Sequence, residues 1–123
     1  MEKIKKILLA EDDEYISKAY KVGLEEADFI VIPAFNGEEA IEKLKIEKPD
    51  LILLDLIMPI KNGFDVLREL KKNAEWKNIP VLILSNLGQD SDIEEALKLG
   101  AKDYLVKANF SMKEVIEKIK EYF

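Results

Sequence analysis

The residues best suited to chemistry in this chain are acids, a hydroxyl and an ammonium group that each follow a short apolar run. They are Glu11, Asp12 and Asp13 after residues 4–10, Asp55 after 51–54, Ser85 after 81–84 and Lys107 after 104–106. Such runs are typical of strands buried on both faces of a parallel sheet. Because the carboxyl ends of parallel strands meet at the edge where α/β proteins bind ligands, we expect these side chains to converge.

The acids Glu11, Asp12 and Asp55 predict a site for a divalent cation, provided that the first and third strands are neighbours. At about 5 Å and an effective dielectric near 20, each pair of unit negative charges costs roughly 3 kcal/mol. The cluster should therefore recruit a cation or raise a pKa. Mg²⁺ fits best, because it binds through a couple of carboxylates, retains several waters and accepts phosphate oxygens as further ligands.

Asp55 beside such a metal ion is a candidate nucleophile toward a phosphoryl group, which would give an aspartyl phosphate. Lys107 would pair with phosphoryl oxygens, over which charge spreads in the loose transition state. Ser85 would hydrogen-bond another of these oxygens. That bond forms only when phosphate is present, so it can pull the loop after the fourth strand inward.

Each of these residues also has an ordinary structural interpretation. Residues 11–13 would favour a helix N-terminus through the helix dipole, and Asp55 and Ser85 could be turn residues. Lys107 alone would be a surface lysine. The convergence of all of them on one sheet edge favours the functional interpretation. We expect Tyr104 to lie partly in the core, with a ring that could move with Ser85.

Alternating apolar patterns predict five strands and five helices. The strands are residues 4–10, 29–34, 51–55, 81–84 and 104–106, and the helices cover 14–27, a segment opened by Asn36-Gly37, 64–74, a segment closed by Gly100, and a segment opened by Ser111. Glu39 and Glu114 complete capping-box patterns at two of these helices. In the first helix, the helical spacing predicts one inward face, formed by Ile16, Ala19, Tyr20, Gly23, Leu24 and Ala27. Right-handed crossovers make an α/β, doubly wound (βα)5 three-layer sandwich the natural architecture, with a five-stranded parallel sheet of flavodoxin-like order 2-1-3-4-5.

Composition places the chain in the class of single globular domains. Its 123 residues are enough for one core without metal or disulfide staples, and it has no cysteine. The net charge of −6 disfavours nonspecific nucleic-acid binding. The apolar run at residues 7–10 is too short for a signal peptide or membrane span, so we expect a soluble, cytoplasmic protein with no membrane contact. Residues 1–123 are expected to form one domain without an output domain.

Taken together, the motifs resemble those of response-regulator receiver domains, the phosphoacceptor modules of two-component signalling, and in particular chemotaxis regulators. The matching segments are Ile7-Leu8-Leu9-Ala10-Glu11-Asp12-Asp13, Asn36-Gly37-Glu38-Glu39-Ala40, Asp55-Leu56-Ile57-Met58-Pro59 with Gly63, Ser85, Gly100-Ala101-Lys102-Asp103-Tyr104, and Lys107. The resemblance covers essentially the whole chain.

The resemblance implies a specific role for the acidic residues. Asp55 would accept a phosphoryl group from the phosphohistidine of a histidine kinase or phosphotransfer protein. Glu11 and Asp12 would be the acidic pair that binds Mg²⁺, with the backbone carbonyl of Ile57 as a further ligand. A protein of this kind is only marginally an enzyme, because it catalyses its own phosphorylation and slow autodephosphorylation.

The resemblance also implies how the signal leaves the domain. Ser85 and Tyr104 match the family's switch residues. The surface formed by the fourth helix, the fifth strand and the fifth helix is where family members usually bind a downstream protein. We therefore expect a stand-alone response regulator of a two-component phosphorelay whose Ser85/Tyr104 surface changes on phosphorylation. Its output is either contact with another protein or passage of the phosphoryl group to another histidine, and the sequence does not choose between them.

Three positions depart from the family pattern. Ala108 follows Lys107 where the family usually has a proline in a cis bond, and we expect a trans bond because a non-proline cis bond costs about 3 to 4 kcal/mol. Asn86 follows Ser85 where the family has a small residue, so its side chain could narrow access to Asp55 or hydrogen-bond the phosphoryl group. Ile57 has no polar side chain to orient an attacking water, which predicts a long-lived aspartyl phosphate.

Three other classes of protein remain as alternatives. A phosphorylation-independent receiver-like binding module would keep the fold but usually lose the acceptor, an acid or the lysine, all of which are present. A flavin-binding electron carrier should have Gly, Ser and Thr after the first strand, where this chain has three acids. A phosphatase with an aspartate nucleophile there should have Asp-x-Asp, whereas Glu11 replaces the first acid.

Overall fold

The structure is a computed structural model that describes residues 3–123, so Met1 and Glu2 of the expected 1–123 domain lie outside the described residues. Its strands are β1 Lys6–Ala10, β2 Ile30–Ala34, β3 Leu51–Leu54, β4 Val81–Ser85 and β5 Asp103–Val106. Its helices are α1 Glu14–Glu26, α2 Gly37–Ile46, α3 Gly63–Lys72, α4 Asp90–Lys98 and α5 Met112–Lys120. A short 3₁₀ helix, Lys107–Asn109, follows β5.

The five strands form one parallel sheet in the order β2-β1-β3-β4-β5, which confirms the predicted fold and topology. Ala10 at the end of β1 lies opposite Leu54 at the end of β3. The residues that follow these two strands therefore leave the sheet side by side. This register is what brings the acids of two distant segments to one place.

Two apolar clusters, one on each face of the sheet, form the core. One includes Leu8, Ile52 and Val66 and packs under α2, α3 and α4, while the other includes Ile7 and Val115 and packs under α1 and α5. The four residues of β3 are at most 1% exposed. Fully burying each such side chain contributes roughly 1.5–3 kcal/mol, so the central strand is a rigid platform for the residue that follows it.

The helix caps follow the sequence pattern with one difference. Ser111 and Glu114 form a complete capping box at α5. At α2, Asn36 Oδ1 accepts a hydrogen bond from the Glu39 amide at 2.8 Å, as expected. The Glu39 carboxylate, however, accepts from the Phe35 amide instead of the Asn36 amide. The cap thereby also fixes the end of β2 to the start of α2.

The inward face of α1 differs from the sequence-based expectation at one position. The pattern of small and apolar residues predicted that Ala19 faces the core, but Ala19 is exposed and Ser17 is buried. Burial of the larger residues Tyr20 and Leu24 sets the rotation of the helix. Ser17 lies on the same face because it is one turn before Tyr20.

The boundaries of the elements differ from the predicted ones by one or two residues. β1 starts at Lys6 and not at Ile4, because its pairing with β2 begins where Lys6 lies opposite Ile30. α3 ends at Lys72 and not at residue 74. In the part of the chain that the structure describes, no helix is long and apolar enough to cross a membrane.

Candidate functional site

Three carboxylates meet at the carboxyl edge of the sheet. Glu11 directly follows β1 and Asp55 directly follows β3, and the two residues are only 4% and 5% exposed. Asp12 is exposed beside them. One carboxylate oxygen from each of the three lies within 4.8 Å of the others. The structure thus brings together the acids that the sequence singled out.

Lys107 reaches this cluster from β5, two strands away from β3 at the same carboxyl edge of the sheet. It follows β5, which is separated from β3 by β4, and its side chain is 13% exposed. Its Nζ donates a hydrogen bond to Asp55 Oδ2 at 2.8 Å and another to Glu11 Oε1. A single ammonium group therefore bridges the two buried acids. The sequence predicted its proximity to the acids but not this double contact.

Burial and charge shift the pKa values of this cluster. Burial raises the pKa of Glu11, the hydrogen bond from Lys107 opposes that shift, and the charge of Asp55 adds to it. Burial also lowers the pKa of Lys107, but hydrogen bonds to Asp55 and Glu11 outweigh this effect and the net shift is upward. Lys107 is therefore cationic at neutral pH. With Asp12, three carboxylates and one ammonium group carry a formal charge of minus two, which a divalent cation would neutralise.

The carboxylate of Asp55 is held in a fixed orientation. Its Oδ1 accepts a hydrogen bond from the Ile57 amide at 3.1 Å, while its Oδ2 accepts from Lys107.

Gly63 packs directly on the segment of Asp55 and Leu56, and its amide donates a hydrogen bond to the Leu56 carbonyl at 3.0 Å. A Cβ at position 63 would lie 2.7 Å from the Leu56 Cα and closer still to the Asp55 carbonyl oxygen. Only glycine fits there.

The loop between β3 and α3 contains a strained turn. The Lys61 amide donates to the Pro59 carbonyl at 2.7 Å, and Ile60 between them has a φ of 70°. A turn of this kind at a β-branched residue costs on the order of 1–3 kcal/mol. The Lys61 carbonyl in turn accepts from the Gly37 amide at 3.0 Å, which fixes the loop to the start of α2. Among residues 3–123, no donor hydrogen-bonds the Ile57 carbonyl.

Leu87 connects the end of β4 with a side chain of β5. Ser85 at the end of β4 is fully buried, and its Oγ accepts a hydrogen bond from the Leu87 amide at 3.4 Å. The Tyr104 hydroxyl on β5 donates to the Leu87 carbonyl. Burial, followed by the charges of Asp92 and Asp55, raises the pKa of Tyr104 to about 12, so its hydroxyl remains a donor at neutral pH.

The sequence motifs identify Ser85 and Tyr104 but not Leu87. Its contribution is a backbone amide and a carbonyl, which almost every residue type carries. No residue-type signal could have identified it. The spacing of two residues after Ser85, typical of a hydroxyl bonded to a nearby amide, was the one available indication.

Asp13 has the structural role that the sequence allowed for all three N-terminal acids. Its Oδ1 accepts hydrogen bonds from the amides of Tyr15 and Ile16 and caps α1. Glu11, in contrast, points to Lys107 and also accepts from the Asp13 amide at 3.2 Å. The cap interpretation is therefore correct for Asp13 and does not account for Glu11.

All three positions that depart from the family pattern lie within two residues of a site residue in the chain. No peptide bond within residues 3–123 is cis, so the trans bond expected between Lys107 and Ala108 is confirmed. Asn86 is exposed in the segment after β4. Ile57 is 52% exposed and presents an apolar side chain beside the acids.

Comparison with known proteins gives a consistent result. Residues 7–120 match the family described as response regulator receiver domain. The chain is 39% identical over 116 residues to the alkaline phosphatase synthesis transcriptional regulatory protein PhoP of Bacillus subtilis, covering 94% of this chain and 47% of that protein. It is 36% identical over 114 residues to the chemotaxis protein CheY of Thermotoga maritima, covering 92% of each.

A solved structure shows the same likeness. The receiver domain of the Francisella response regulator 1452 superposes with a TM-score of 0.88 at 36% identity, covering 96% of this chain and 95% of that chain. The chain spans about half the length of the first curated relatives that it matches, whereas it covers nearly all of the chemotaxis protein.

Proposed function

The chain belongs to the response regulator receiver domain family of two-component systems, and on that premise we propose that Asp55 accepts a phosphoryl group and thereby switches a protein-binding surface. The observation that carries this proposal is the position of the Asp55 carboxylate. It is 5% exposed, it is held by the Ile57 amide and Lys107, and it lies within 4.8 Å of two further acids. A buried, oriented anion of this kind is a suitable nucleophile.

The donor set fits Mg²⁺, the ion that receiver domains generally bind. Glu11, Asp12 and Asp55 offer hard oxygen ligands, and the Ile57 carbonyl has no hydrogen-bond donor among the described residues. We assign these four groups to the metal site. When bound, the ion would neutralise the charge of the acids and of the incoming phosphoryl oxygens.

The proposed transfer forms one bond and breaks another. A carboxylate oxygen of Asp55 attacks phosphorus, the bond from phosphorus to the imidazole nitrogen of the donor histidine breaks, and that nitrogen keeps the electron pair. Lys107 already contacts the acceptor carboxylate, so its ammonium group can stabilise the phosphoryl oxygens with little reorganisation. Hydrolysis of the product by water returns Asp55 to its starting state.

The signal would pass to the surface through Leu87. Ser85 would donate its hydroxyl to a phosphoryl oxygen, and its Oγ already accepts from the Leu87 amide. The Leu87 carbonyl accepts from Tyr104, so a shift of the segment after β4 changes the partner of the Tyr104 hydroxyl. Because Tyr104 lies on β5, the surface of α4, β5 and α5 would change as one unit.

The partners follow from these roles. A histidine kinase or a phosphotransfer protein would supply the phosphoryl group, and a downstream protein would bind the α4, β5 and α5 surface without direct nucleic-acid contact. We propose a stand-alone, cytoplasmic response regulator with residues 1–123 as its single domain. The chain covers 92% of the Thermotoga chemotaxis protein, whereas it covers about half of the first curated relatives, which are transcriptional regulators.

The lifetime of the phosphorylated state is a further part of the proposal. Ile57 is 52% exposed next to Asp55. Its side chain has no polar atom. It cannot hydrogen-bond a water molecule that approaches the phosphoryl group. Ile57→Asn should therefore accelerate the decay of the adduct, and an unchanged decay rate would contradict this role.

Intact mass after incubation with Mg²⁺ and acetyl phosphate tests the central proposal. We expect the mass of one phosphoryl group to be added to the native protein. Asp55→Asn and a chelator-treated sample are the controls, and both should lack the adduct. If the native protein gained no mass while it still bound Mg²⁺, Asn86 would be examined first as an obstruction. A phosphorylation-independent binding module would then be the better description.

A further inference from the structure

A cavity of about 720 Å³ opens at the amino edge of the sheet, opposite the acids. The cavity is surrounded by the segment before β1, the turn between α1 and β2, and the end of α5 with the residues that follow it. Its lining residues are Lys3, Ile4, Lys5, Ala27, Asp28, Phe29, Lys120, Tyr122 and Phe123. Its size lies within the range of roughly 300–1,000 Å³ that is usual for small-molecule sites.

Positive charge is concentrated around this cavity. Lys3, Lys5 and Lys120 line it together with a single acidic side chain, that of Asp28, although the whole chain has a net charge of −6. Within residues 3–123, none of the three ammonium groups lies within 4.0 Å of a carboxylate oxygen. The cavity is therefore locally cationic, which favours an anionic occupant.

Aromatic rings form the apolar part of the same cavity. The rings of Phe29 and Phe123 lie 5.9 Å apart at an angle of 50°. The Lys5 ammonium lies 5.5 Å from the centre of the Phe123 ring. Phe123 and Tyr122 are 46% and 37% exposed, so their rings are available to a ligand. A cation and exposed ring surface thus lie side by side.

We propose that this cavity binds a small molecule that carries an anionic group on an aromatic ring system. The lysines would bind the anionic group, and the rings of Phe29 and Phe123 would pack against its ring. A purely apolar molecule would leave the lysines without a partner, and a simple anion would leave the ring surface exposed. Nucleotides and aromatic carboxylic acids share the required chemistry.

Amide NMR titration of the protein comprising residues 1–123 would test this inference. Adenosine monophosphate and benzoate represent the two sources of the chemistry, and adenosine and inorganic phosphate each provide one half of it. We expect at least one of the two combined probes to shift the amides of Lys5, Phe29 and residues 120–123. That probe should do so at lower concentration than adenosine or phosphate.

Two variants and a matched control make the test specific to the cavity. Lys120→Gln removes one charge, Phe123→Leu removes one ring, and each should raise the apparent dissociation constant by about tenfold or more. Lys18→Gln removes an exposed lysine of α1 that is not part of the cavity and should leave the constant unchanged. Circular dichroism would verify that each variant is folded.

Three results would overturn the inference: no shift of these amides at millimolar concentrations of either combined probe, an equal response to phosphate alone, or an equal response of Lys18→Gln and Lys120→Gln. The result does not depend on the proposed function of Asp55. The same variants should still gain a phosphoryl group in the mass assay, so failure of one proposal leaves the other intact.

Discussion

The two halves of the carboxyl edge are built in different ways. Directly after β1 and β3, Glu11 and Asp55 are buried, and both accept charged hydrogen bonds from the ammonium group of Lys107. In the other half, Ser85 of β4 and Tyr104 of β5 are connected only through neutral hydrogen bonds to the backbone of Leu87. The bond from the Leu87 amide to Ser85 Oγ is 3.4 Å long. Neutral hydrogen bonds are roughly half as strong as charged ones. The first half is suited to reaction and the second to movement.

The test with the largest expected effect removes the positive charge of Lys107, which both buried acids of the first half contact. Lys107→Met should slow formation of the phosphoryl adduct about 100-fold or more, because it removes a donor aimed at the reacting oxygens. The measurement is the initial rate of mass gain with acetyl phosphate and Mg²⁺. Lys107→Arg retains the charge and serves as the comparison. A rate within threefold of native for Lys107→Met would show that the first half does not depend on this contact.

A second test concerns the packing that supports Asp55. Gly63→Ala should lower the free energy of unfolding by about 1–3 kcal/mol, since the new Cβ would overlap the backbone of Asp55 and Leu56. Gly88→Ala, in the more mobile half by our interpretation, is the matched control. Its Cβ would meet nothing closer than the Val106 methyl groups at 3.7 Å. Urea titration measures both, and equal losses would remove the contrast in packing.

A third test separates reaction from response. Tyr104→Phe removes the donor to the Leu87 carbonyl, a bond that contributes about 1 kcal/mol. The adduct should therefore form at close to the native rate. The phosphorylation-induced amide shifts of residues 86–89 and of α4 should, however, decrease. A normal set of shifts would mean that the signal does not pass through Tyr104.

The last test concerns the pH dependence of stability. The pKa of Tyr104 is raised from 10.0 in the unfolded chain to about 12 in the folded protein, primarily by burial. The unfolded chain therefore loses this proton first, and the stabilisation is lost between pH 10 and pH 12. Urea unfolding should show a steeper fall over this range for the native protein than for Tyr104→Phe. Parallel curves would contradict the shift.

The sequence predicted most of the fold because its signals are local. Buried strands such as Leu51–Leu54 are uninterrupted apolar runs, and Ser111 with Glu114 specifies a helix start through one turn of chain. Strand order was also accessible, since short parallel crossovers allow few topologies. Ala19 was misplaced because a small residue contributes little to the choice of the buried face.

The candidate site was predictable only in part. The convergence of Glu11, Asp55 and Lys107 follows from strand order, and the structure shows it. The bridging of both acids by Lys107 does not follow, because it depends on the rotamer of a long side chain that crosses β4. The positive φ of Ile60 also contradicts the usual preference of a β-branched residue. Tertiary contacts determined both features.

The link through Leu87 has a consequence for how the protein could diversify. Both bonds of this residue use backbone atoms, so a substitution at position 87 retains them unless it introduces proline, which has no amide hydrogen. Its side chain packs against the core from a partly exposed position. The apolar residue at position 87 can therefore be varied, by evolution or by design, to recognise a new partner. The hydrogen bonds that connect its backbone to Ser85 and Tyr104 are retained.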